Sequence, residues 1–91
     1  MTPMEATALL THLSGWALAR DFKNISKQFK FRDFVGAMEF ANKITPIAES
    51  EGHHPDLYIG WGKVRVELTT HAIGGLSEND FILAAKIDAL H

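Results

Sequence analysis

The feature that most constrains the fold is a strict alternation of apolar and polar side chains over residues 63–69. Val64, Val66 and Leu68 take the apolar positions, and the residues between them are charged or polar. A period of two is typical of a β-strand with one buried face. Shorter alternations occur in Trp16–Leu18, Ile25–Phe31 and Leu57–Trp61. The sequence therefore predicts four strands.

Two short helical patterns flank these strands. The first runs from Thr2 to about Leu13, because Thr2 can cap the helix, Pro3 suits the first helical position and Glu5 can reach back to the cap. The last begins after Ser77, where Asp80 three residues later resembles a capping box. Its predicted apolar side consists of Phe81, Ile82, Ala85, Ile87 and Leu90.

The longest helical pattern runs from Arg32 to about Glu51 and ends at Gly52. Its apolar stripe is predicted to contain Phe34, Met38, Ala41, Ile44 and Ala48, with Val35 and Ile47 at its margins. Pro46 lies inside this pattern and is expected to kink the helix, because it removes a hydrogen bond and clashes with the preceding turn.

The element order is therefore α-β-β-α-β-β-α. Short turns at residues 21–24 and 60–63 connect strands that are adjacent along the chain, which favours antiparallel pairing. The predicted fold class is α+β, a two-layer sandwich in which helices cover one face of a four-stranded antiparallel sheet. The other face is predicted to be solvated or covered by another subunit.

Composition limits the chemistry of the chain. Ninety-one residues, 46% of them hydrophobic, predict a single domain over residues 1–91 with a thin core, and a thin core favours a homo-oligomer. A net charge of −2 argues against direct binding to nucleic acid. The absence of cysteine excludes disulfides and thiolate chemistry. We expect a cytoplasmic protein that does not cross a membrane.

Three histidines are candidates for proton transfer. His53 and His54 precede Pro55, which favours an extended backbone, so their side chains point in different directions. His71 lies where the fourth strand ends, and it could approach the other two across the third and fourth strands. Imidazole donates or accepts protons near neutral pH. Each histidine could instead be a solvated surface residue, as we expect of His12 and His91.

The spacing around these histidines is specific. Glu49 stands four residues before His53-His54-Pro55, and five residues separate Pro55 from Trp61. Nine residues separate Trp61 from His71, and eight separate His71 from Asp80. In this spacing the chain resembles the pterin-4a-carbinolamine dehydratase family, also known as the dimerisation cofactor of a homeodomain transcription factor. The resemblance extends from Trp16 to about Ile87.

The resemblance implies an enzyme, a hydro-lyase that converts 4a-hydroxytetrahydropterin to quinonoid dihydropterin and so recycles the pterin of aromatic amino-acid hydroxylases. It implies that His53, His54 and His71 form the active site, supported by Asp80. The pterin is the substrate, and no cofactor or metal is implied. Our hypothesis is that His54 and His71 exchange protons while His53 orients the pterin.

The roles of the supporting residues stay open. Glu49 either binds the polar edge of the pterin or is a solvated helix residue. Trp61 is predicted to lie in the core, with a stacking surface for substrate as the alternative. Asp80 is explained by helix capping alone, and a role in positioning His71 would be additional.

Two other functions compete with the dehydratase. Animal members of the family also bind a transcription factor, and the helix Phe34–Ala48 could mediate self-association, as a homodimer or homotetramer, or bind a partner helix. The three histidines could in principle form a zinc site.

Overall fold

The computed structural model describes all residues from Met1 to His91. It contains three helices and four strands in the predicted α-β-β-α-β-β-α order. A single 3₁₀ turn over His71–Ile73 lies between the last strand and the last helix. The elements are α1 (Pro3–Leu10), β1 (Ala17–Leu18), β2 (Ile25–Lys30), α2 (Phe34–Glu51), β3 (Asp56–Gly60), β4 (Lys63–Leu68) and α3 (Glu78–Asp88).

The strands form one antiparallel sheet in the order β1-β2-β4-β3. The two pairs expected from short turns, β1 with β2 and β3 with β4, are both present. The central pair joins β2 to β4, with Ile25 opposite Leu68 and Phe29 opposite Val64. Helix α2 therefore carries the chain from one side of β4 to the other, and delivers it to the start of β3.

The core lies between one face of the sheet and the helices. The strand alternation places Ile25, Phe29, Val64, Val66 and Leu68 on this face, all of them buried. The opposite face carries polar side chains such as Gln28 and Arg65 and is exposed. The two-layer α+β fold class is confirmed. The buried helical residues that complete the core cluster are Ala6, Ala37, Phe40, Ile44, Phe81, Leu83, Ala84 and Ile87.

The predicted apolar faces of the helices need correction. Phe34 and Val35 are exposed on α2, where Ala37 and Phe40 are buried instead. Ile82 is exposed on α3. Both helices carry apolar residues on more than one side, so periodicity alone leaves the buried side ambiguous. The buried residues that the predicted stripe of α3 missed are Leu83 and Ala84.

The end of α1 differs from expectation, whereas α2 ends where it was predicted to end. Helix α1 ends at Leu10 rather than Leu13, and the capping box between Thr2 and Glu5 is present. Helix α2 continues through Pro46 to Glu51, and Gly52 ends it with a left-handed φ of 60°. Pro46 therefore does not interrupt the helix before Glu49. No helix of the fold is both long and apolar enough to cross a membrane.

Candidate functional site

His53 is oriented by a buried carboxylate. Gly52 turns the chain out of α2, and the amide of His53 donates to the carbonyl of Ala48 at 3.1 Å, so the backbone leaves the helix in a defined direction. The His53 side chain is only 12% exposed, and its Nε2 lies 2.5 Å from Oδ1 of Asp80. Nδ1 has no hydrogen-bond partner within the chain, whereas every buried polar side-chain atom has one. Nδ1 therefore reaches the surface.

Asp80 is the only buried charged residue. It lies in the first turn of α3, where the partial positive charge of the helix N-terminus stabilises a carboxylate. Its Oδ2 accepts hydrogen bonds from the Ser77 amide at 2.9 Å and from the Thr70 hydroxyl at 2.9 Å. The predicted capping role is thus present. The carboxylate contacts His53 and not His71, so the additional role that was left open for it concerns His53 instead.

His54 points away from His53. Its side chain is 62% exposed, and its Nε2 contacts Oε2 of Glu49 at the end of α2. The expected divergence of the adjacent imidazoles is therefore observed. A cavity of about 160 Å³ adjoins this pair. It is lined by Ile44, Thr45, Ala48, Glu49, His54, Pro55 and Leu57.

His71 opens the 3₁₀ turn and is exposed. The turn is closed by backbone hydrogen bonds between Thr70 and Gly75. His71 forms no hydrogen bond to His53, His54 or their carboxylates. It is linked to Asp80 through Thr70, its neighbour in the chain. No three histidine, aspartate or glutamate side chains converge as metal ligands would, so the zinc alternative lacks a set of donors.

Trp61 is not a core residue. It lies in the turn between β3 and β4, and it is 72% exposed. The prediction of burial was wrong because the alternation of β3 ends at Gly60, where the chain reverses. The ring borders an open groove of about 340 Å³. The groove is lined by Gln28, Lys30, Phe31, Trp61, Gly62 and Lys63.

Sequence reasoning missed the contribution of Thr70. Its hydroxyl lies 2.9 Å from Asp80 and 2.7 Å from the Ser77 hydroxyl. The sequence showed Thr70 only as the neighbour of His71. Its bond to a residue ten positions later depends on how the loop after β4 folds back on α3.

Comparison with known proteins identifies the family. The family model described as pterin 4 alpha carbinolamine dehydratase matches residues 1–90. The chain belongs to this family. A relative from Halorhodospira halophila that carries the family's name is 48% identical over 90 residues, which are 99% of this chain and 83% of that protein. The predicted family is confirmed, and its name describes a hydro-lyase.

Solved structures agree with the fold. A protein from Brucella melitensis, described as a transcriptional coactivator/pterin dehydratase, superposes with a TM-score of 0.93 at 33% identity. The match covers 99% of this chain and 96% of that one. A pterin dehydratase-like protein, described as a RuBisCO assembly factor in the alpha-carboxysome, has a TM-score of 0.72 at 24% identity. It covers 87% of this chain and 92% of its own, and it shows the fold alone.

Proposed function

We propose that this chain dehydrates 4a-hydroxytetrahydropterin to quinonoid dihydropterin by histidine acid–base catalysis. The observation that carries the proposal is the pairing of His53 with the buried carboxylate of Asp80, beside the exposed pair of His54 and Glu49. A histidine held by a buried carboxylate has a fixed orientation, which a proton-transfer site requires. Family membership supplies the substrate class.

The reaction needs one acid and one base. The bond from the 4a carbon to the hydroxyl oxygen breaks when an acid protonates that oxygen, and the oxygen leaves as water. A base takes the proton from the neighbouring ring nitrogen, and its electron pair forms the new C=N bond. Imidazoles perform both steps near neutral pH, so the proposed reaction requires no metal, nucleotide or covalent intermediate.

Burial supports a division of roles among the three histidines. His54 and His71 are exposed, so both are accessible to a bound pterin and to water. We assign the two proton transfers to them. His53 is held by Asp80, and its Nδ1 faces outward to orient the pterin or its hydroxyl. Glu49 is assigned to the polar edge of the pterin through its position beside His54.

Single substitutions test this assignment. The carbinolamine is generated in situ, and formation of quinonoid dihydropterin is followed by absorbance. His54→Ala and His71→Ala should each lower kcat about a hundredfold, the usual contribution of a general acid or base. His12→Ala is the matched control, because His12 lies after α1 and contacts none of the site residues. Wild-type protein that fails to exceed the spontaneous rate rejects the proposal.

A second function, binding another protein, is favoured by the exposed start of α2. Phe34 and Val35 are both exposed there, at 49% and 63%. The related Brucella protein is described as a coactivator as well as a dehydratase. Under this proposal, a His54→Ala protein keeps its cellular role while losing turnover. A role lost together with turnover indicates that the enzyme activity is the function. In either case we propose a cytoplasmic homo-oligomer.

A further inference from the structure

Both carboxylate oxygens of Asp80 have hydrogen-bond partners. Oδ1 faces Nε2 of His53 at 2.5 Å, and Oδ2 faces the Thr70 hydroxyl and the Ser77 amide at 2.9 Å each. An ionised carboxylate only accepts hydrogen bonds. Nε2 of His53 therefore carries its proton, and the Thr70 hydroxyl must donate to Asp80.

The direction of the next hydrogen bond follows from this. Thr70 has one hydroxyl proton, which it donates to Asp80. The 2.7 Å contact between the Thr70 and Ser77 hydroxyls must then have Ser77 as its donor. The result is a directed chain in which Ser77 donates to Thr70 and Thr70 donates to Asp80. His53 donates to the same carboxylate from the opposite side.

Thr70 also fixes the turn that carries His71. Its amide donates to the carbonyl of Gly75 at 2.8 Å, and its carbonyl accepts from the amide of Ile73 at 3.1 Å. The backbone of Thr70 thus closes the His71 turn, while its side chain holds the carboxylate that orients His53. One residue joins two histidines that make no hydrogen bond to each other.

We propose that Thr70 is a positioning residue for the dehydratase reaction, acting through Asp80 to hold His53 in the tautomer protonated at Nε2. This inference rests on the proposed function for its effect on turnover. The nitrogen at which a histidine is protonated is set by the hydrogen bonds that its ring nitrogens make. With Nε2–H directed at Asp80, the unprotonated Nδ1 is the atom presented to the pterin. Without the Thr70 hydroxyl, the carboxylate of Asp80 can rotate away from Nε2 of His53. The tautomer protonated at Nε2 is then no longer selected.

Four variants separate positioning from packing. Thr70→Val removes the hydroxyl and keeps the shape, whereas Thr70→Ser keeps the hydroxyl and removes a methyl group. Thr69→Val is the control for losing a neighbouring threonine hydroxyl, because the Thr69 hydroxyl lies 2.5 Å from the carbonyl oxygen of Lys23 and 3.4 Å from that of Gly75, and it contacts no candidate histidine or carboxylate. Ser77→Ala leaves Thr70 in place but removes the hydroxyl that donates to Thr70 and so directs the Thr70 proton toward Asp80. It replaces Thr70→Val as the test if Thr70→Val does not fold.

Turnover and the tautomer of His53 are both measured. Thr70→Val should lower kcat about tenfold with little change in KM, a fraction of what a full acid or base contributes. Thr70→Ser and Thr69→Val should stay within about twofold of wild type, and Ser77→Ala should show a smaller loss of kcat than Thr70→Val. Long-range ¹H–¹⁵N spectra should show His53 protonated at Nε2 in wild type, and a mixture of tautomers in Thr70→Val and Ser77→Ala.

Several results overturn the inference. One is an unchanged His53 tautomer in Thr70→Val, or in Ser77→Ala if Thr70→Val does not fold. Another is a loss of kcat in Thr70→Ser as large as the loss in Thr70→Val. The tautomer spectra do not depend on activity. Failure of wild-type turnover with the expected spectra therefore rejects the dehydratase proposal and leaves the role of Thr70 intact.

Discussion

At the scale of single residues, the His53–Asp80 pair makes a prediction about non-additivity. In Asp80→Asn, the amide oxygen can still accept from Thr70 and Ser77, but the amide nitrogen then faces His53 as a donor. Nε2 of His53 must then accept this hydrogen bond, so His53 adopts the tautomer protonated at Nδ1. We expect kcat to fall about tenfold to a hundredfold, by analogy with other oriented histidines.

The double variant tests whether the pair acts as a unit. His53→Ala combined with Asp80→Asn should be no slower than the worse single variant, because Asp80 acts only through His53. Steady-state kinetics of the four proteins measure this. Rate losses that multiply would show that Asp80 has an effect independent of His53. Urea unfolding of Asp80→Asn should show a loss of about 1–2 kcal/mol, since hydrogen bonds to a charged carboxylate become weaker hydrogen bonds to a neutral amide.

The candidate residues were predictable from the sequence, but most of their contacts were not. The spacing of His53, His54 and His71 with two carboxylates pointed to the site. It could not show that Asp80 contacts His53, because that contact joins a loop after α2 to the first turn of α3, 27 residues away. The exposure of Trp61 was also unpredictable, because strand parity carries no information once the chain reverses.

At the scale of elements, the capping box of α1 predicts a pH dependence. Hydrogen bonding to Thr2, first from its backbone N–H and then with its side chain, holds the pKa of Glu5 below its ordinary value of 4.5. A lowered folded-state pKa stabilises the helix above the ordinary value, and this contribution is lost as pH falls through the folded pKa. NMR titration of Glu5 should show a midpoint below 4.5.

Thr2→Ala provides the control for the capping box. It removes the side-chain cap and leaves the backbone donor, so the pKa of Glu5 should rise only part of the way toward its ordinary value. Loss of a threonine cap typically costs about 1 kcal/mol. An unshifted Glu5 in the wild-type protein would contradict the capping box.

Helix α2 gives a second prediction at this scale. Pro46 is exposed and interior to the helix, so it removes one backbone hydrogen bond without contributing to the core. Pro46→Ala restores that bond and should raise the free energy of unfolding by about 1–3 kcal/mol. Thermal unfolding measures the gain. A neighbouring exposed position such as Lys43→Ala is the control and should change stability little.

The elements themselves were largely predictable, whereas the buried faces of the helices were predictable only in part. The alternation of β4 predicted both its class and its inward side chains, because a period of two allows only two faces. A helix can bury any of many faces around its axis. In α3, five apolar residues follow one another from Phe81 to Ala85, so only packing against the sheet selects Leu83 and Ala84 over Ile82. Tertiary contact decides what periodicity leaves open.

At the scale of the whole molecule, a small core and a partly apolar surface belong together. Only 18 of 91 residues are buried, and one face of the sheet has no covering layer. A chain of this size buries roughly 60–65% of its unfolded surface, which leaves it marginally stable alone. Large apolar side chains at the start of α2 remain in solvent. Self-association would cover them and add the stability that the single core lacks.

We therefore expect an even-numbered oligomer that depends on α2. Val35 is 63% exposed and Phe34 is 49% exposed, so Val35→Lys places a charge in the proposed contact without disturbing the core. Light scattering after size-exclusion chromatography should give a dimer or tetramer for wild type and a smaller species for Val35→Lys. Ile82→Lys on α3 is the matched control, and it should keep the wild-type mass.

Stability provides an independent measure of the same interface. Association that stabilises the folded chain makes the melting temperature rise with protein concentration, since mass action favours the folded oligomer. Wild type and Ile82→Lys should show this rise, and Val35→Lys should not. A monomeric wild-type protein whose melting temperature is independent of concentration contradicts the prediction. If Ile82→Lys dissociates the oligomer and Val35→Lys does not, the interface lies on α3 rather than on α2.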